Sequence, residues 1–491
     1  MDLAALPATE QKALLEAGKA SCRELLADCR TRAEMTEPVV NAIPTVHWDT
    51  AEALAGRLDN DPTLLEGAPL RGLVTAFKDL MPTAGVRTTR GSLAYADDVP
   101  TEDDTLVAAI KESGMVPVGK TNTPEFGAGS QTWNAVLGTT RNPWDPTRTA
   151  GGSSGGAAAA LACGSLSLAD GSDLGGSLRN PASFCSVVGF RPSTGRNPVQ
   201  AAAWSLDAEL LRWSGGAIQM PTTGPIARTV DDLVLFNAVL CGDRPTPKVP
   251  SAPRVAYSLT LSGLPVDPEV AQVVDEAVRA LAESGWQVVE AEPDLSISDL
   301  SFERLRAVAY FNAWGHLTGD DRVKDDVLYE IEMGRSLTAE DVADAQMSEI
   351  AAKTRWDDFL TGAAGSPGYD LMVAPVSQVP PFPVDQKAVG EIDGVVLDHY
   401  KDWMKSCCRI TSTGAPAVSL PAGFTANGLP IGLQLVGRWN HDLALLQHVK
   451  AAEEVLGTSP APDIGALATL DPATLPPGPP GSLEARNRAM A

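Results

Sequence analysis

Two stretches rich in serine and glycine, close together in the sequence, carry residue types from which a nucleophilic site could be built. Residues 149–156 read Thr-Ala-Gly-Gly-Ser-Ser-Gly-Gly, and residues 172–179 read Ser-Asp-Leu-Gly-Gly-Ser-Leu-Arg. Glycine at this density costs backbone entropy on folding, so it is typical of places where the backbone turns tightly or approaches another group. A serine hydroxyl is a weak nucleophile that needs a base. The two stretches therefore predict a reactive serine whose base comes from another part of the chain.

The candidate base is Lys78. It follows the apolar run of residues 73–77, which predicts a buried strand. Burial disfavours the charged form of a lysine and lets its amine accept a proton. No histidine lies near either serine-rich stretch, and no G-x-S-x-G elbow is present. We therefore predict a proton relay in which Lys78 acts through Ser153 on Ser177, with backbone N–H groups around Ser177 available to an oxyanion.

Each of these features has a simpler interpretation when it is taken alone. A buried lysine usually pairs with an acid, and Asp79 is adjacent to Lys78. A Gly-Gly-Ser-Ser-Gly-Gly stretch is often a flexible linker. A phosphate-binding loop of the G-x-x-x-x-G-K-[ST] type requires a lysine after the glycines, but that position is Ala157. The three features together, in this order, favour the catalytic interpretation.

The elements that would position these residues alternate between helix and strand, which indicates an α/β fold with parallel strands. A small-residue helix is predicted at 156–162, directly after the first glycine-rich stretch, and Asn427-Gly428 predicts a hairpin turn between strands at 417–420 and 431–436. Pro-rich residues 458–481 predict an extended tail. The other predicted strands are 73–77, 115–119, 254–257, 286–291 and 371–375. The other predicted helices are a pair within 9–35 and single helices at 50–58, 101–113, 229–240, 268–284, 300–317, 339–363 and 442–456.

Changes in composition divide the chain into four parts. We predict a core with the catalytic residues at 1–244, a variable and mainly helical region at 245–370, the C-terminal part of the core sheet with its helix at 371–457, and a Pro-rich tail at 458–491. An insertion at 196–222 and the region 300–365 are expected to shape the substrate pocket. Trp204 and Trp213, in a part of the insertion with little charge, indicate an apolar or aromatic substrate.

Charge and composition argue against several classes of function. The 491 residues include 62 Asp and Glu against 38 Lys and Arg, a net charge of −24, which makes nucleic acid and anionic membrane surfaces unlikely partners. No basic, apolar leader is visible at the N-terminus, and residues 149–169 are too poor in large aliphatic side chains for a membrane span. A homodimer is left open.

The cysteines and histidines give no support for a disulfide framework or a metal site. The seven cysteines include no C-x-x-C pair, which indicates a reduced, cytoplasmic protein. The five histidines lack metal-ligand spacing, so we expect no metal. Cys185 is predicted to be a packed thiol, and His316 to face solvent or the core rather than the pocket.

The catalytic stretches resemble the amidase signature family. Lys78, Ser153 and Ser177 occur in the family's order, and the two serines are 24 residues apart. The resemblance covers roughly residues 10–457. Further matching stretches are 119–126, 141–144, 189–196, 224–230 and 415–436.

The resemblance implies a role for each of these residues. Ser177 is the expected nucleophile, Ser153 a bridging serine after a cis peptide bond, and Lys78 the base. Asp173 and Arg179 are expected to pair and hold the nucleophile loop, and Gly127 to contact the substrate. The expected oxyanion donors are the backbone N–H groups of Leu174, Gly175, Gly176 and Ser177.

The resemblance also implies the fold and the activity. The expected fold has a large mixed, mostly parallel β-sheet covered by helices on both faces. The expected activity is hydrolysis of a linear carbon–nitrogen bond of a small amide substrate through a Ser177 acyl-enzyme, without a cofactor, and the same route would serve aryl amides, esters or carbamates. The alternative is a glutamine-amidohydrolysing subunit of an amidotransferase complex. The stretch after Arg196 departs from the pattern expected of such a subunit, which favours the free-standing hydrolase.

Overall fold

The computed structural model describes residues 1–196, 220–242 and 248–490. Most of the predicted insertion, including Trp204 and Trp213, lies outside these ranges. The helices are α1 (Ala8–Glu16), α2 (Cys22–Val40), α3 (Trp48–Asn60), α4 (Thr105–Glu112), α5 (Gly155–Cys163), α6 (Arg179–Cys185), α7 (Val230–Cys241), α8 (Pro268–Glu283), α9 (Ser298–Trp314), α10 (Asp325–Ser336), α11 (Ala339–Thr361), α12 (Lys405–Ser412), α13 (Asp442–Leu456), α14 (Ile464–Ala468) and α15 (Leu483–Met490). The strands are β1 (Thr45–Val46), β2 (Val74–Lys78), β3 (Val116–Thr121), β4 (Trp133–Asn134), β5 (Gly138–Thr139), β6 (Ala169–Asp173), β7 (Val188–Arg191), β8 (Thr222–Ala227), β9 (Arg254–Tyr257), β10 (Gln287–Glu290), β11 (Leu371–Pro375), β12 (Glu391–Ile392), β13 (Val395–Val396), β14 (Ala417–Phe424) and β15 (Pro430–Val436).

The central sheet has the strand order β10-β9-β11-β15-β14-β7-β8-β6. This confirms the large mixed sheet of an α/β fold. Parallel pairing joins β10 to β9 and β9 to β11, where the crossover helix α8 connects β9 to β10. The other neighbours pair antiparallel, so parallel pairs form a smaller share of this sheet than the sequence led us to expect. One antiparallel pair is the predicted hairpin of β14 and β15, whose turn contains Gly428 at φ +78°.

A smaller sheet, β1-β3-β2, brings the predicted base to the central sheet. Strand β2 pairs parallel with β3 on one side. On its other side, the Val74 carbonyl accepts hydrogen bonds from the backbone N–H groups of Ser167 and Leu168, just before β6. Strands β2 and β6 therefore lie next to each other, and Lys78 ends one of them.

Helices cover both faces of the central sheet. On one face, Gln434 of β15 contacts Arg179 of α6, and Gly432 lies against Ser183 of the same helix. Side chains alternate between faces along a strand, so Leu433 and Leu435 point the other way. They belong to the main apolar core, which also contains apolar side chains of α8 and α13. The predicted layering is thereby confirmed.

Several predicted elements differ from the structure in extent. The helix predicted at 101–113 begins at Thr105, because the Asp104 carboxylate accepts the Leu106 N–H and caps it there. Helix α10 was not predicted. The prediction of an extended C-terminal tail is wrong in part, since α14 and α15 form within it, Leu467 is buried, and Glu484 accepts the Thr139 N–H. The four-part division of the chain stays a prediction. None of the described helices combines the length and the apolar character needed to cross a membrane.

Candidate active site

Lys78 is the last residue of β2 and is completely buried. Its Nζ lies 2.8 Å from the Oγ of Ser153, 2.9 Å from that of Ser154 and 3.0 Å from that of Ser172. A hydroxyl can donate or accept, so these three partners can satisfy a charged amine with three donors or a neutral amine that accepts one proton. The amine can therefore change its protonation state without losing its hydrogen bonds.

Burial gives this amine an unusual acidity. Removal from water lowers the pKa of Lys78 from 10.5 to about 7, although the carboxylates of Asp170 and Asp173 oppose the change. The adjacent acid, Asp79, is not its hydrogen-bond partner, because the Asp79 carboxylate accepts bonds from the N–H and hydroxyl of Thr89. A substantial fraction of Lys78 is thus neutral near neutral pH.

Ser153 follows a cis peptide bond from Gly152, as the resemblance implied. The Gly152 carbonyl accepts a hydrogen bond from Ser130 Oγ at 2.5 Å. The Gly151 carbonyl accepts two bonds from Thr132, one from its N–H at 3.0 Å and one from its Oγ at 2.8 Å. These bonds fix the two carbonyls before Ser153 and with them the orientation of its hydroxyl.

Ser177 lies in the loop between β6 and α6. Its carbonyl accepts the backbone N–H of Ser154 at 3.2 Å, so the two serine-bearing loops lie side by side. Lys78 and Ser153 are buried, but Ser177 is partly exposed. A substrate can therefore reach this serine while the lysine stays shielded from water.

The glycines before Ser177 are required by close packing. Gly176 has φ +105°, and a Cβ there would lie 2.5 Å from Asn180 Nδ2. A Cβ on Gly175 would lie 2.6 Å from the ring of Phe302. The Gly176 N–H donates to the Asp173 carboxylate at 2.8 Å. One of the four N–H groups expected to bind the oxyanion is therefore already occupied, and those of Leu174, Gly175 and Ser177 remain candidate donors.

Asp173 pairs with Arg179, as predicted, and both side chains are completely buried. Its two oxygens receive Arg179 Nη2 at 2.9 Å and Nε at 3.0 Å, and Arg191 Nη1 lies 3.4 Å away. Burial alone would raise the pKa of Asp173, but Arg179 and Arg191 hold it well below its usual range. Because Asp173 also accepts the Leu178 N–H, this ion pair ties down both sides of Ser177.

Gly127 ends a short turn, Glu125–Gly127, and is partly exposed at φ +71°. Its N–H donates to the Pro124 carbonyl at 2.8 Å. Three residues later, Ser130 holds the Gly152 carbonyl, so the segment that carries Gly127 runs into the site. Its contact with a substrate stays a prediction.

Four side chains in the site were not assigned to it from the sequence. Ser154 and Ser172 contact Lys78, Arg191 contacts Asp173, and Ser130 holds the carbonyl before Ser153. The first three lie in stretches that the resemblance covers, which was the available signal. Ser130 carries no such signal, because only the folded chain brings it to Gly152.

Two other candidate residues lie outside the site. Cys185 is buried, its thiol donates to the Ala150 carbonyl at 3.5 Å, and burial raises its pKa well above the usual value, so the prediction of a packed thiol is confirmed. His316 is exposed and lies 3.0 Å from the hydroxyl of Tyr95. Among the described residues, no group of three or more His, Cys, Asp or Glu side chains could hold a metal ion.

Comparison with known proteins places this fold and site. A family model described as Amidase matches residues 24–446. An acylamidase of Rhodococcus erythropolis is 32% identical over 472 residues, which cover 92% of this chain and 95% of the relative. A glutamyl-tRNA(Gln) amidotransferase subunit of Moorella thermoacetica is 35% identical over 499 residues, which cover 92% and 97%. The solved structure of 6-aminohexanoate cyclic dimer hydrolase complexed with substrate superposes with a TM-score of 0.82 at 25% identity and covers 94% of this chain and 100% of its own.

The fold, and the relatives that share it over nearly the whole chain, define an enzyme that hydrolyses carbon–nitrogen bonds. More specifically, the chain belongs to the Amidase family, and the family resemblance inferred from the motifs is confirmed.

Proposed function

We propose that the enzyme hydrolyses an amide through a covalent ester on Ser177, with Ser153 and Lys78 as the proton relay. The observation that carries this proposal is the 2.8 Å contact between Lys78 Nζ and Ser153 Oγ, made by a completely buried lysine whose pKa is lowered to about 7. A nucleophilic serine needs a base with a pKa near the working pH. Lys78 meets this condition.

In the acylation step, Ser177 Oγ forms a bond to the amide carbonyl carbon while its proton passes to Ser153 Oγ and the Ser153 proton passes to Lys78. The carbonyl oxygen becomes an oxyanion, for which the backbone N–H groups of Leu174, Gly175 and Ser177 are the candidate donors. Such donors are most effective when they are fixed before the reaction. The buried Asp173–Arg179 pair supplies that rigidity.

The carbon–nitrogen bond then breaks, and the amine leaves with a proton returned from Lys78 through Ser153. Water attacks the acyl-enzyme with the same relay as base, which releases the acid and restores Ser177. Esters and carbamates have the same carbonyl carbon and a leaving group that can accept this proton, so we include them in the substrate range.

The surroundings of the oxyanion loop support an acyl group that is apolar next to the scissile carbonyl. Leu174 lies in a buried cluster with Phe302, Phe382 and Trp403. Small-molecule sites are lined mainly by apolar and aromatic side chains with few polar groups. All seven cysteines are unpaired and buried, which supports the predicted reducing, cytoplasmic location.

The test of the relay uses acetyl-p-nitroanilide and two alanine variants. Ser177→Ala should abolish release of nitroaniline, and Lys78→Ala should lose most activity at neutral pH and regain part of it at high pH, where hydroxide replaces the base. Ser284→Ala, exposed at the end of α8, is the matched control and should match the wild type. Wild-type turnover by Ser177→Ala would refute the assignment of the nucleophile.

The second candidate is the glutamine-amidohydrolysing subunit of an amidotransferase. The similarity to glutamyl-tRNA(Gln) amidotransferase subunits favours it. Such a subunit would release ammonia from glutamine but leave simple anilides intact when purified alone. Hydrolysis of the anilide by the isolated chain, without ammonia release from glutamine, would decide for the free-standing amidase.

A further inference from the structure

A second buried polar cluster lies beside the oxyanion loop. It consists of Arg306 of α9, Glu330 of α10, Tyr400 and Lys401, and is named here the Arg306 cluster. Glu330 Oε1 accepts Arg306 Nε at 3.1 Å, the Tyr400 hydroxyl at 2.7 Å and Lys401 Nζ at 3.3 Å. Arg306 Nη2 donates to the Tyr400 hydroxyl at 2.9 Å. The mechanism proposed above uses none of these groups.

The position of Arg306 follows from its neighbours on α9. Phe302, Arg306 and Tyr310 are four residues apart and so lie on one face of the helix. Phe302 lies against Gly175 of the oxyanion loop. The Tyr310 hydroxyl donates to the Phe126 carbonyl, next to Gly127, at 3.3 Å. Arg306 therefore lies between the oxyanion loop and the segment that carries Gly127.

The charges of the cluster do not cancel. Arg306 and Lys401 are cationic and Glu330 is anionic, which leaves one positive charge in a region where all three side chains are almost completely buried. The nearby acids have their own partners, since Asp326 lies 3.8 Å from Lys324 and Asp402 lies 3.1 Å from Lys405. An uncompensated buried cation favours binding of an anion.

The guanidinium also has donors to spare. Its Nε and Nη2 make the hydrogen bonds of the cluster, and Nη1 takes part in none of them, although Arg306 is only 3% exposed. Glu330 Oε2 is sealed and without a hydrogen-bond partner in the described part of the chain, so this carboxylate holds Arg306 from within the protein rather than facing a substrate. Arginine is well suited to binding a carboxylate in such a site.

From this arrangement we infer that Arg306 determines specificity by binding a carboxylate at the far end of the substrate's acyl group. The inference rests on the proposed acyl-enzyme function. Phe302 and the apolar cluster contact the chain next to the scissile carbonyl, and Arg306, one helical turn further on, meets the anionic end. The substrate class is therefore the half-amide of a short dicarboxylic acid.

The experiment compares glutaryl-p-nitroanilide with pentanoyl-p-nitroanilide, which has the same chain length but no carboxylate. The wild type should show a kcat/KM about 10- to 100-fold higher for the glutaryl substrate, the range expected of a charge-assisted hydrogen bond. Arg306→Gln should abolish this preference, and Arg306→Lys should keep part of it. Arg304→Gln, on the same helix with Asp341 as partner, is the control and should keep the wild-type ratio.

Inhibition of the wild type gives a second measurement that does not depend on the folding of a variant. Glutarate should compete with the glutaryl substrate at concentrations at least about tenfold lower than pentanoate. Equal kcat/KM values for the two substrates, or equal inhibition by the two acids, would overturn the inference and leave the amidase function intact. If the wild type and Ser177→Ala both failed to cleave either anilide, the proposed function itself would be refuted.

Discussion

Replacing Asp170 with asparagine tests whether buried carboxylates set the pH range in which Lys78 acts as a base. Asp170 is completely buried in β6, and its two oxygens lie 3.3 and 3.4 Å from the Lys78 backbone N–H. It opposes the burial effect on the pKa of Lys78 more strongly than Asp173 does. Asparagine has nearly the same shape and keeps an acceptor for the N–H, so the substitution removes mainly the charge.

The expected shift follows from the balance of effects on the amine. Burial lowers the pKa of Lys78 from 10.5 to about 7 while two carboxylates oppose it. A nearby opposite charge typically changes a pKa by about 1–3 units. Because Asp173 remains, we expect the loss of Asp170 to lower the pKa of Lys78 by about one further unit, equivalent to about 1.4 kcal/mol. The sign is downward, since removing a negative charge favours the neutral amine.

The assay is kcat/KM for an anilide substrate measured from about pH 5 to pH 9, whose acidic limb reports the base of the free enzyme. The limb should move from around pH 7 in the wild type to around pH 6 in Asp170→Asn. Asp442→Asn removes another buried carboxylate, one that binds Ser193, and should leave the limb in place. An unchanged limb in Asp170→Asn, or one displaced to higher pH, would refute the reasoning.

Three further perturbations test the site. In Lys78→Met the free energy of unfolding should lose a pH dependence: the folded wild type holds Lys78 neutral above about pH 7 while the unfolded chain keeps it protonated to about pH 10.5, so wild-type stability gains up to about 1.4 kcal/mol per pH unit between these values. Urea unfolding at two pH values measures this, and equal slopes in both proteins would contradict it. Arg179→Met leaves Asp173 with an incomplete set of buried partners and should cost about 3–5 kcal/mol of unfolding free energy, whereas a cost below about 1 kcal/mol would show that the pair does not hold the loop. Gly176→Ala places a Cβ 2.5 Å from Asn180 Nδ2 and should lower kcat by about tenfold or more in a protein whose circular dichroism is unchanged; a wild-type kcat would show that the loop can relax.

The parts of the fold that the sequence predicted well are those with strong local signals. The Ser21–Glu24 capping box marked the start of α2, and Asn427-Gly428 marked the turn between β14 and β15. The predicted α13 matches the observed helix at both ends. Strand direction was predicted less well, because pairing depends on which strands become neighbours, and that is decided by contacts between distant parts of the chain.

The candidate site shows the same division. Its three central residues could be found from the sequence, because dense glycine and a charged residue after an apolar strand both carry a folding cost that packing alone rarely requires. The Arg306 cluster left no such signal, since Arg306, Glu330 and Tyr400 come from separate segments and are ordinary residue types in helical and loop sequence. Their common burial, which makes them a candidate binding group, exists only after folding.

The sequence by itself determined the kind of chemistry: which serines, which lysine and which glycines belong together. Only the tertiary structure decided how that chemistry is tuned. It placed Ser154 and Ser172 around Lys78, gave the Gly176 N–H to Asp173, and brought Ser130 to the carbonyl before Ser153. The physical reason is that the pKa of a buried amine, the freedom of an N–H and the charge of a pocket depend on distance and on exclusion of water, neither of which is written locally in the chain.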